Sequence, residues 1–75
     1  MTKKEAIEWL GDRTKYGKSV HYLSVDTRLT DYFNGKGPVE SYSAGIQDAN
    51  TVVVSGFCET LQEAVNKALK KWMAA

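Results

Sequence analysis

The sequence predicts a small α+β domain with the element order helix, helix, hairpin, helix. Two T-x-x-E sequences each introduce an apolar helical face, one near each end of the chain. Between them lie two β-prone runs separated by a short segment of turn residues. With 75 residues, 43% of them hydrophobic and 25% charged, the chain fits one domain spanning residues 1–75.

The first helix is predicted over residues 3–10. Thr2 and Glu5 form the first T-x-x-E sequence, in which each side chain can accept a hydrogen bond from the other residue's backbone N–H. Gly11 is a suitable stop, because glycine adopts the left-handed conformation of a helix C-terminus without a side-chain penalty. The apolar face of this helix comprises Ala6, Ile7 and Leu10.

A polar, basic loop follows over residues 11–20. Residues 1–18 carry five positive and three negative side chains, with a tyrosine among them. Such a patch can bind an anion, a nucleotide or an acidic protein surface, although a solvated loop beside a helix has the same composition. The candidate binding patch consists of Lys3, Lys4, Arg13, Lys15, Tyr16 and Lys18.

Residues 21–34 fit two structures. The spacing of Val25, Leu29, Tyr32 and Phe33 at i, i+4, i+7 and i+8 predicts a helix over residues 25–33. The residue types from 20 to 25 also suit a strand, so a third short strand near residues 20–23 is an open alternative to the start of the helix.

The hairpin is predicted from Val39–Ile46 and Thr51–Phe57. If Ile46 faces Thr51, then Ala44 faces Val53 and Tyr42 faces Ser55. One side then carries Tyr42, Ala44, Ile46, Val53 and Phe57, and the other side carries Val52 and Val54. Because both sides hold apolar groups, we expect helices on both, which gives α-β-α layers around an αββα core.

The last helix is predicted over residues 61–73, after the second T-x-x-E sequence at Thr60. Its apolar residues recur at i, i+3, i+4, i+7, i+8 and i+11 and form a complete stripe. These residues are Leu61, Ala64, Val65, Ala68, Leu69 and Trp72.

Composition and motifs exclude several kinds of chemistry. Ten basic against nine acidic side chains leave a net charge of +1, far from the strong basic excess of a dedicated nucleic-acid binder. His21 is the only histidine and lacks neighbouring partners for a triad or a metal, while Cys58 adjoins Glu59 rather than basic groups. We therefore predict a protein that is not an enzyme, with no catalytic residue, no cofactor and no metal.

The single cysteine and the N-terminal residues bear on location. One cysteine cannot form an internal disulfide, which favours a reducing compartment such as the cytoplasm of a host cell. The N-terminal residues lack the apolar run of a signal peptide, and no stretch approaches the roughly 20 apolar residues of a membrane span.

The chain from residue 22 onward resembles the phage ABA sandwich domain family, small phage and prophage proteins of unknown function. That family shows a Y-S-x-D helix start, a hairpin and a T-x-x-x-A-x-x-x-A-L closing helix. Tyr22, Ser24 and Asp26 occur in the first order, with Leu23 inserted, and the closing pattern is matched by Thr60, Ala64, Ala68 and Leu69. The resemblance implies α-β-α layers, a phage or prophage source and no catalytic residues.

Two weaker likenesses concern the C-terminal half. The passage from the hairpin into TLQEAVNKAL resembles HicB-type antitoxins, and the element order resembles double-stranded RNA-binding domains. Those RNA-binding domains need lysines where this chain has Glu59, Thr60 and Glu63, so nucleic acid is not the favoured partner.

The favoured hypothesis is a phage-type accessory protein that acts as a protein–protein interaction module. Its aromatic residues are numerous for so small a core, and exposed aromatics are frequent at interfaces. We expect a host or phage protein as partner, possible inhibition of a host defence or regulatory complex, and a possible homodimer. The alternative is a small binding module for an anionic ligand or nucleic acid that uses the basic patch.

Overall fold

The protein, in a computed structural model that describes residues 1–75, has two helices and one three-stranded antiparallel sheet. The elements in chain order are α1 (Lys3–Thr14), β1 (Tyr22–Thr30), β2 (Val39–Gln47), β3 (Val52–Val54) and α2 (Leu61–Ala74). The α+β class is confirmed, whereas the order is helix, three strands, helix. Neither helix is long and apolar enough to cross a membrane.

The helix predicted over residues 25–33 is wrong, because that segment belongs to β1 and the loop after it. β1 pairs with β2 over nine residues, from Tyr22 opposite Gln47 to Thr30 opposite Val39. The ladder pairs the backbone of this segment with β2 and also directs Leu23 and Val25 towards the core, which a helix over residues 25–33 would not do for Leu23. The alternative prediction of a strand near residues 20–23 is correct in the type of element, and the observed strand runs from Tyr22 to Thr30. The Tyr, Ser and Asp of the phage-family pattern thus lie in a strand, not at a helix start.

The register between β2 and β3 differs by two residues from the prediction. Ile46 faces Val53, not Thr51. The side chain of Asp48 causes the shift, because its Oδ1 accepts hydrogen bonds from the backbone N–H groups of Asn50 and Thr51 and holds a longer turn. A shift of two preserves the faces, so Val53 is directed towards the core as predicted.

The segment after β3 reverses one predicted orientation. Gly56 has a φ of 74°, and the chain resumes pairing only where Cys58 bridges to Tyr42. This bend turns Cys58 into the core and leaves Phe57 exposed, whereas the prediction placed Phe57 on the same side of the hairpin as Ala44 and Ile46.

Both helices cover the same face of the sheet. One cluster of buried residues joins α1, β2 and α2, together with Val20 before β1 and Cys58 after β3. The helices also contact each other directly. The expected α-β-α layers are therefore not found, because the strands bury apolar groups on one side only. The cluster consists of Ala6, Leu10, Val20, Ala44, Ile46, Cys58, Ala64, Val65 and Ala68.

Both helices begin at the predicted threonines. The Thr2 side chain accepts a hydrogen bond from the N–H of Glu5 and the Glu5 carboxylate accepts one from the N–H of Thr2, which completes the capping box. α1 continues through Gly11, where it passes close to Leu23, and ends with Lys15 in the left-handed conformation. The prediction ended this helix four residues too early. α2 is confirmed to within one residue.

The molecule is elongated because the β1–β2 hairpin extends beyond the helices. Its extents are 46 × 22 × 15 Å, and its radius of gyration is 13.4 Å, against about 11 Å for a compact chain of this length. We call residues 28–41 the hairpin arm, and none of them is buried. One sheet face and one long hairpin are thus left without cover by the rest of the chain.

Candidate interaction surfaces

The uncovered side of the sheet is the first candidate surface, here called the open face. Side chains alternate between the two faces of a strand, so the residues that flank those directed at the helices lie on the open face. Its large exposed groups come from three separate segments: Tyr22 on β1, Val52 and Val54 on β3, and Phe57 beyond it. Val52 is 65% exposed. These exposed apolar groups share the open face with polar residues such as Ser24, Ser43 and Gln47, and the fold itself does not cover them.

A shallow depression of about 90 Å³ lies within the open face, around Gly45. Gly45 is buried at its floor, since a Cβ built there would lie 2.7 Å from the Ser24 Oγ and 3.6 Å from a methyl group of Val54. A larger residue at position 45 would displace these walls. The rest of the lining comes from Tyr22, Ile46, Gln47, Val52 and Val53.

Charged groups border the open face unevenly. Asp26 and Arg28 lie on it by strand alternation, and the Arg28 guanidinium lies 5.1 Å from the centre of the Phe57 ring. On the β3 side, the Lys71 Nζ donates a 2.9 Å hydrogen bond to the carbonyl of Val54. A groove of about 430 Å³ next to it is lined by Ser55, Lys67, Lys70, Lys71 and Ala74. The border of the open face is therefore mostly basic.

The tip of the hairpin arm is the second candidate surface. Phe33 is 91% exposed and has a φ of 56°, a left-handed conformation that is unfavourable for a bulky side chain. The Asp31 side chain supports this turn by accepting a 2.8 Å hydrogen bond from the N–H of Phe33. Tyr32 beside it is also exposed. An exposed aromatic in a strained turn is a feature that frequently marks a binding site.

The basic patch predicted from the sequence is spread along α1. Lys3 and Lys4 occupy its first turn, and Arg13 its last turn, a separation of about 15 Å along the helix axis at 1.5 Å per residue. Lys15 and Lys18 follow in the loop, with Tyr16 exposed between them.

Arg13 is already engaged within the chain. Its guanidinium lies 4.0 Å from the centre of the Trp9 ring and donates a 3.1 Å hydrogen bond to the Trp9 carbonyl. The structure thus brings Arg13, Lys15, Tyr16 and Lys18 to one end of α1 and places Lys3 and Lys4 at the other.

The two residues considered for catalysis or metal binding, His21 and Cys58, have different surroundings. His21 is exposed directly before β1, and its backbone N–H donates a hydrogen bond to the Gln47 carbonyl. Cys58 is buried, with its Sγ 3.6 Å from the Gly56 carbonyl. No cluster of three or more His, Cys, Asp or Glu side chains could hold a metal ion.

Two titratable side chains have shifted pKa values. The hydrogen bonds that Glu5 accepts from the backbone N–H and the side chain of Thr2 lower the pKa of its carboxyl group. The Tyr42 hydroxyl donates a 2.8 Å hydrogen bond to the Glu40 carboxylate, and this bond raises the pKa of the tyrosine. Both shifts stabilise local structure at neutral pH, and neither group faces the depression around Gly45.

Comparison with protein family models, curated proteins and solved structures finds no match for this chain. Sequence reasoning missed the open face because it assigned the β1 residues to a helix and expected helices on both sides of the hairpin. The alternation of Leu23 and Val25 with Tyr22, Ser24 and Asp26 is the signal that identifies β1 as a one-sided strand.

Proposed function

We propose that the chain is a non-enzymatic protein–protein interaction module that binds a partner protein through the open face. The observation that carries this proposal is the exposure of Tyr22, Val52, Val54 and Phe57 on one uncovered sheet surface. Large aromatic and aliphatic side chains that a fold leaves exposed on one face are typical of an interface.

The border of the open face indicates the chemistry of the partner. Lys67, Lys70 and Lys71 line one side, and Arg28 lies by Phe57. A partner with an apolar centre and acidic side chains around it would complement both features, because opposite charges at a rim guide association and select against wrong partners. We therefore infer an acidic protein surface as the partner.

The phage-type origin is part of the proposal and is supported by the closing-helix pattern alone. Thr60, Ala64, Ala68 and Leu69 match the phage ABA sandwich family pattern, and they occupy α2 in register with its cap and buried stripe. On that basis the partner is a host or phage protein, and a host defence or regulatory complex is the candidate whose inhibition we would test.

The test is capture of a partner from bacterial extract, followed by affinity measurement with the purified pair. Val52→Lys introduces a charge at a 65% exposed position of the open face, and Met73→Lys introduces the same charge at a 76% exposed position of α2. We expect Val52→Lys to weaken the affinity at least about tenfold, since it places a charge in a desolvated apolar contact. Met73→Lys should bind like the wild type.

Two results would contradict the proposal. One is a partner whose affinity is the same for Val52→Lys and for the wild type. The other is salt-sensitive binding of an oligonucleotide that is lost in the Lys15→Glu plus Lys18→Glu variant, because that result supports the basic loop as the binding site.

A further inference from the structure

We propose that two copies of this chain pair antiparallel along the outer edge of β1, joining their sheets into one six-stranded sheet. The pairing uses backbone groups at the β1 edge together with the Asp26 and Arg28 side chains, whereas the proposed function is tested at Val52 on β3. The two proposals are therefore tested by different variants.

The backbone of β1 has an unpaired edge whose hydrogen-bonding phase can be determined. On β2, Tyr42 exchanges two backbone hydrogen bonds with Cys58, at 2.7 and 2.8 Å. The backbone N–H and C=O groups of the even-numbered residues of β2 therefore point towards β3. The odd-numbered residues of β2 then bond to β1, where the register places even-numbered residues opposite them. The odd-numbered residues of β1 direct their N–H and C=O groups outward. They are Leu23, Val25, Thr27 and Leu29.

The charges on β1 select one register for a second copy. Because the outward N–H and C=O groups belong to odd-numbered residues, odd-numbered residues of the two copies must lie opposite each other. A two-fold axis can then pass beside any single residue of β1. An axis at Asp26 places two carboxylates opposite each other, and an axis at Arg28 places two guanidinium groups opposite each other. An axis at Thr27 places Asp26 of each copy opposite Arg28 of the other, which gives two pairs of opposite charge.

The same register covers an exposed apolar side chain. Leu29 is 68% exposed, and an axis at Thr27 places it opposite Val25 of the second copy, twice in the dimer. Both residues lie on the helix-covered side of their strand. The hairpin arm of each copy thus lies beside the covered half of β1 in the other copy.

The two-fold axis separates the α1 helices of the two copies. α1 approaches β1 near Leu23, where the Gly11 Cβ position lies 3.8 Å from a Leu23 methyl group. A two-fold axis at Thr27, perpendicular to the sheet, therefore places the two copies of α1 towards opposite ends of the new strand pair. It also keeps both open faces on the same side of the six-stranded sheet.

The chain exposes more surface than a compact monomer of its mass. Its accessible surface is 5185 Å², against roughly 4,600 Å² for a compact monomer of this size. The elongated β1–β2 hairpin, whose outer strand edge is unpaired, accounts for the excess.

The other edge of the sheet is less suited to pairing. β3 has only three residues, and its Val54 carbonyl already accepts a hydrogen bond from Lys71. Short edge strands and lysines at an edge both disfavour further strand addition. β1 is therefore the edge that a second copy would use.

Charge reversal in the full-length chain tests both the dimer and its register. Asp26→Arg places arginines opposite each other at both central positions, and Arg28→Asp places aspartates there. By sedimentation equilibrium we expect the dissociation constant to rise at least about tenfold in each variant. The double variant, Asp26→Arg with Arg28→Asp, restores opposite charges and should dimerise like the wild type. An equimolar mixture of the two single variants should form the heterodimer.

Amide hydrogen exchange provides a readout that does not depend on charge. In the dimer, the amides of Val25, Thr27 and Leu29 should become protected as protein concentration rises, while those of Asp26 and Arg28 are protected at all concentrations. Thr27→Pro removes an outward N–H only and should abolish association while the circular dichroism spectrum is retained.

Three results would overturn the pairing. They are a wild-type chain that is monomeric up to about 1 mM, the weak limit of specific association, a double variant that does not recover dimerisation, and single variants that dimerise as well as the wild type. None of these results changes the Val52→Lys test of the open face.

Discussion

The two ends of the β1–β2 hairpin share one continuous ladder of backbone pairing, but only one end is covered by the helices. At one end, Ala44 and Ile46 are buried beneath both helices, and Leu23 packs against the same cluster. At the other end, the hairpin arm continues the pairing to Thr30 and Val39 with no buried side chain. Continuous backbone pairing therefore does not require a continuous core, and stability and recognition can be divided between the ends of one hairpin.

Truncation of one apolar side chain at each end gives the largest expected contrast. Ile46 is 1% exposed, so Ile46→Ala should lower the free energy of unfolding by about 2–5 kcal/mol through lost burial and an internal cavity. Leu29→Ala in the hairpin arm should change it by less than about 0.5 kcal/mol in dilute protein. Urea denaturation of both variants measures the difference, and equal losses would show that the arm belongs to the folding core.

The cap of α2 tests how far the covered end depends on its helix. The Thr60 hydroxyl accepts a 3.1 Å hydrogen bond from the N–H of Glu63. Thr60→Ala should lower the free energy of unfolding by about 1 kcal/mol, while Thr60→Ser retains the cap and should stay close to the wild type. If serine and alanine behave alike at this position, the cap has no role in stability.

A substitution at the tip of the hairpin arm should raise the free energy of unfolding instead of lowering it. Phe33→Asn keeps the left-handed conformation at lower cost, because asparagine tolerates a positive φ better than phenylalanine. We expect a gain of up to about 1 kcal/mol in thermal or urea denaturation, with no loss of β structure. A destabilised Phe33→Asn variant would show that the phenylalanine ring makes a stabilising contact.

Tyr42 lies where the covered end meets the arm, and its titration gives the smallest effect. The Glu40 carboxylate raises the pKa of Tyr42 in the folded state, which favours the protonated phenol. The stabilisation is fully present below the unfolded tyrosine pKa of about 10 and is lost as the pH rises through the higher folded value. Tyrosinate absorbance during alkaline titration should show one late-titrating residue, which is absent in Tyr42→Phe. Titration of all tyrosines at the ordinary pKa would contradict the contact.

Sequence reasoning was accurate where local pattern and burial agree. The stripe of α2 repeats over three turns and packs on the sheet along its whole length, so its periodicity identified the helix. In β1 only Leu23 and Val25 pack against the core, which is too short a signal to outweigh the helical spacing of Val25, Leu29, Tyr32 and Phe33. That spacing arises from residues whose side chains are mostly exposed and therefore reflects no buried face.

The candidate surfaces could be predicted less well than the fold. An excess of aromatics indicated exposed groups, but their location on the open face depends on how the chain bends at Gly56 and on both helices choosing one side. Gly56 within the predicted strand is a local signal for a bend, but the side of the sheet that both helices cover has no such signal. The basic patch was inferred from proximity along the chain, but Lys3 and Lys15 lie at opposite ends of α1, about 18 Å apart along its axis at 1.5 Å per residue.

The hydrogen bond from Lys71 to Val54 has a consequence for the size of any assembly. A sheet with two bare edges can recruit chain after chain and grow into a fibre. Here the Lys71 ammonium group binds the outward carbonyl of Val54, which makes β3 the less available edge for strand addition. If two copies pair along β1 as proposed, the six-stranded sheet ends in β3 on both sides and the symmetric contact limits the assembly to two chains.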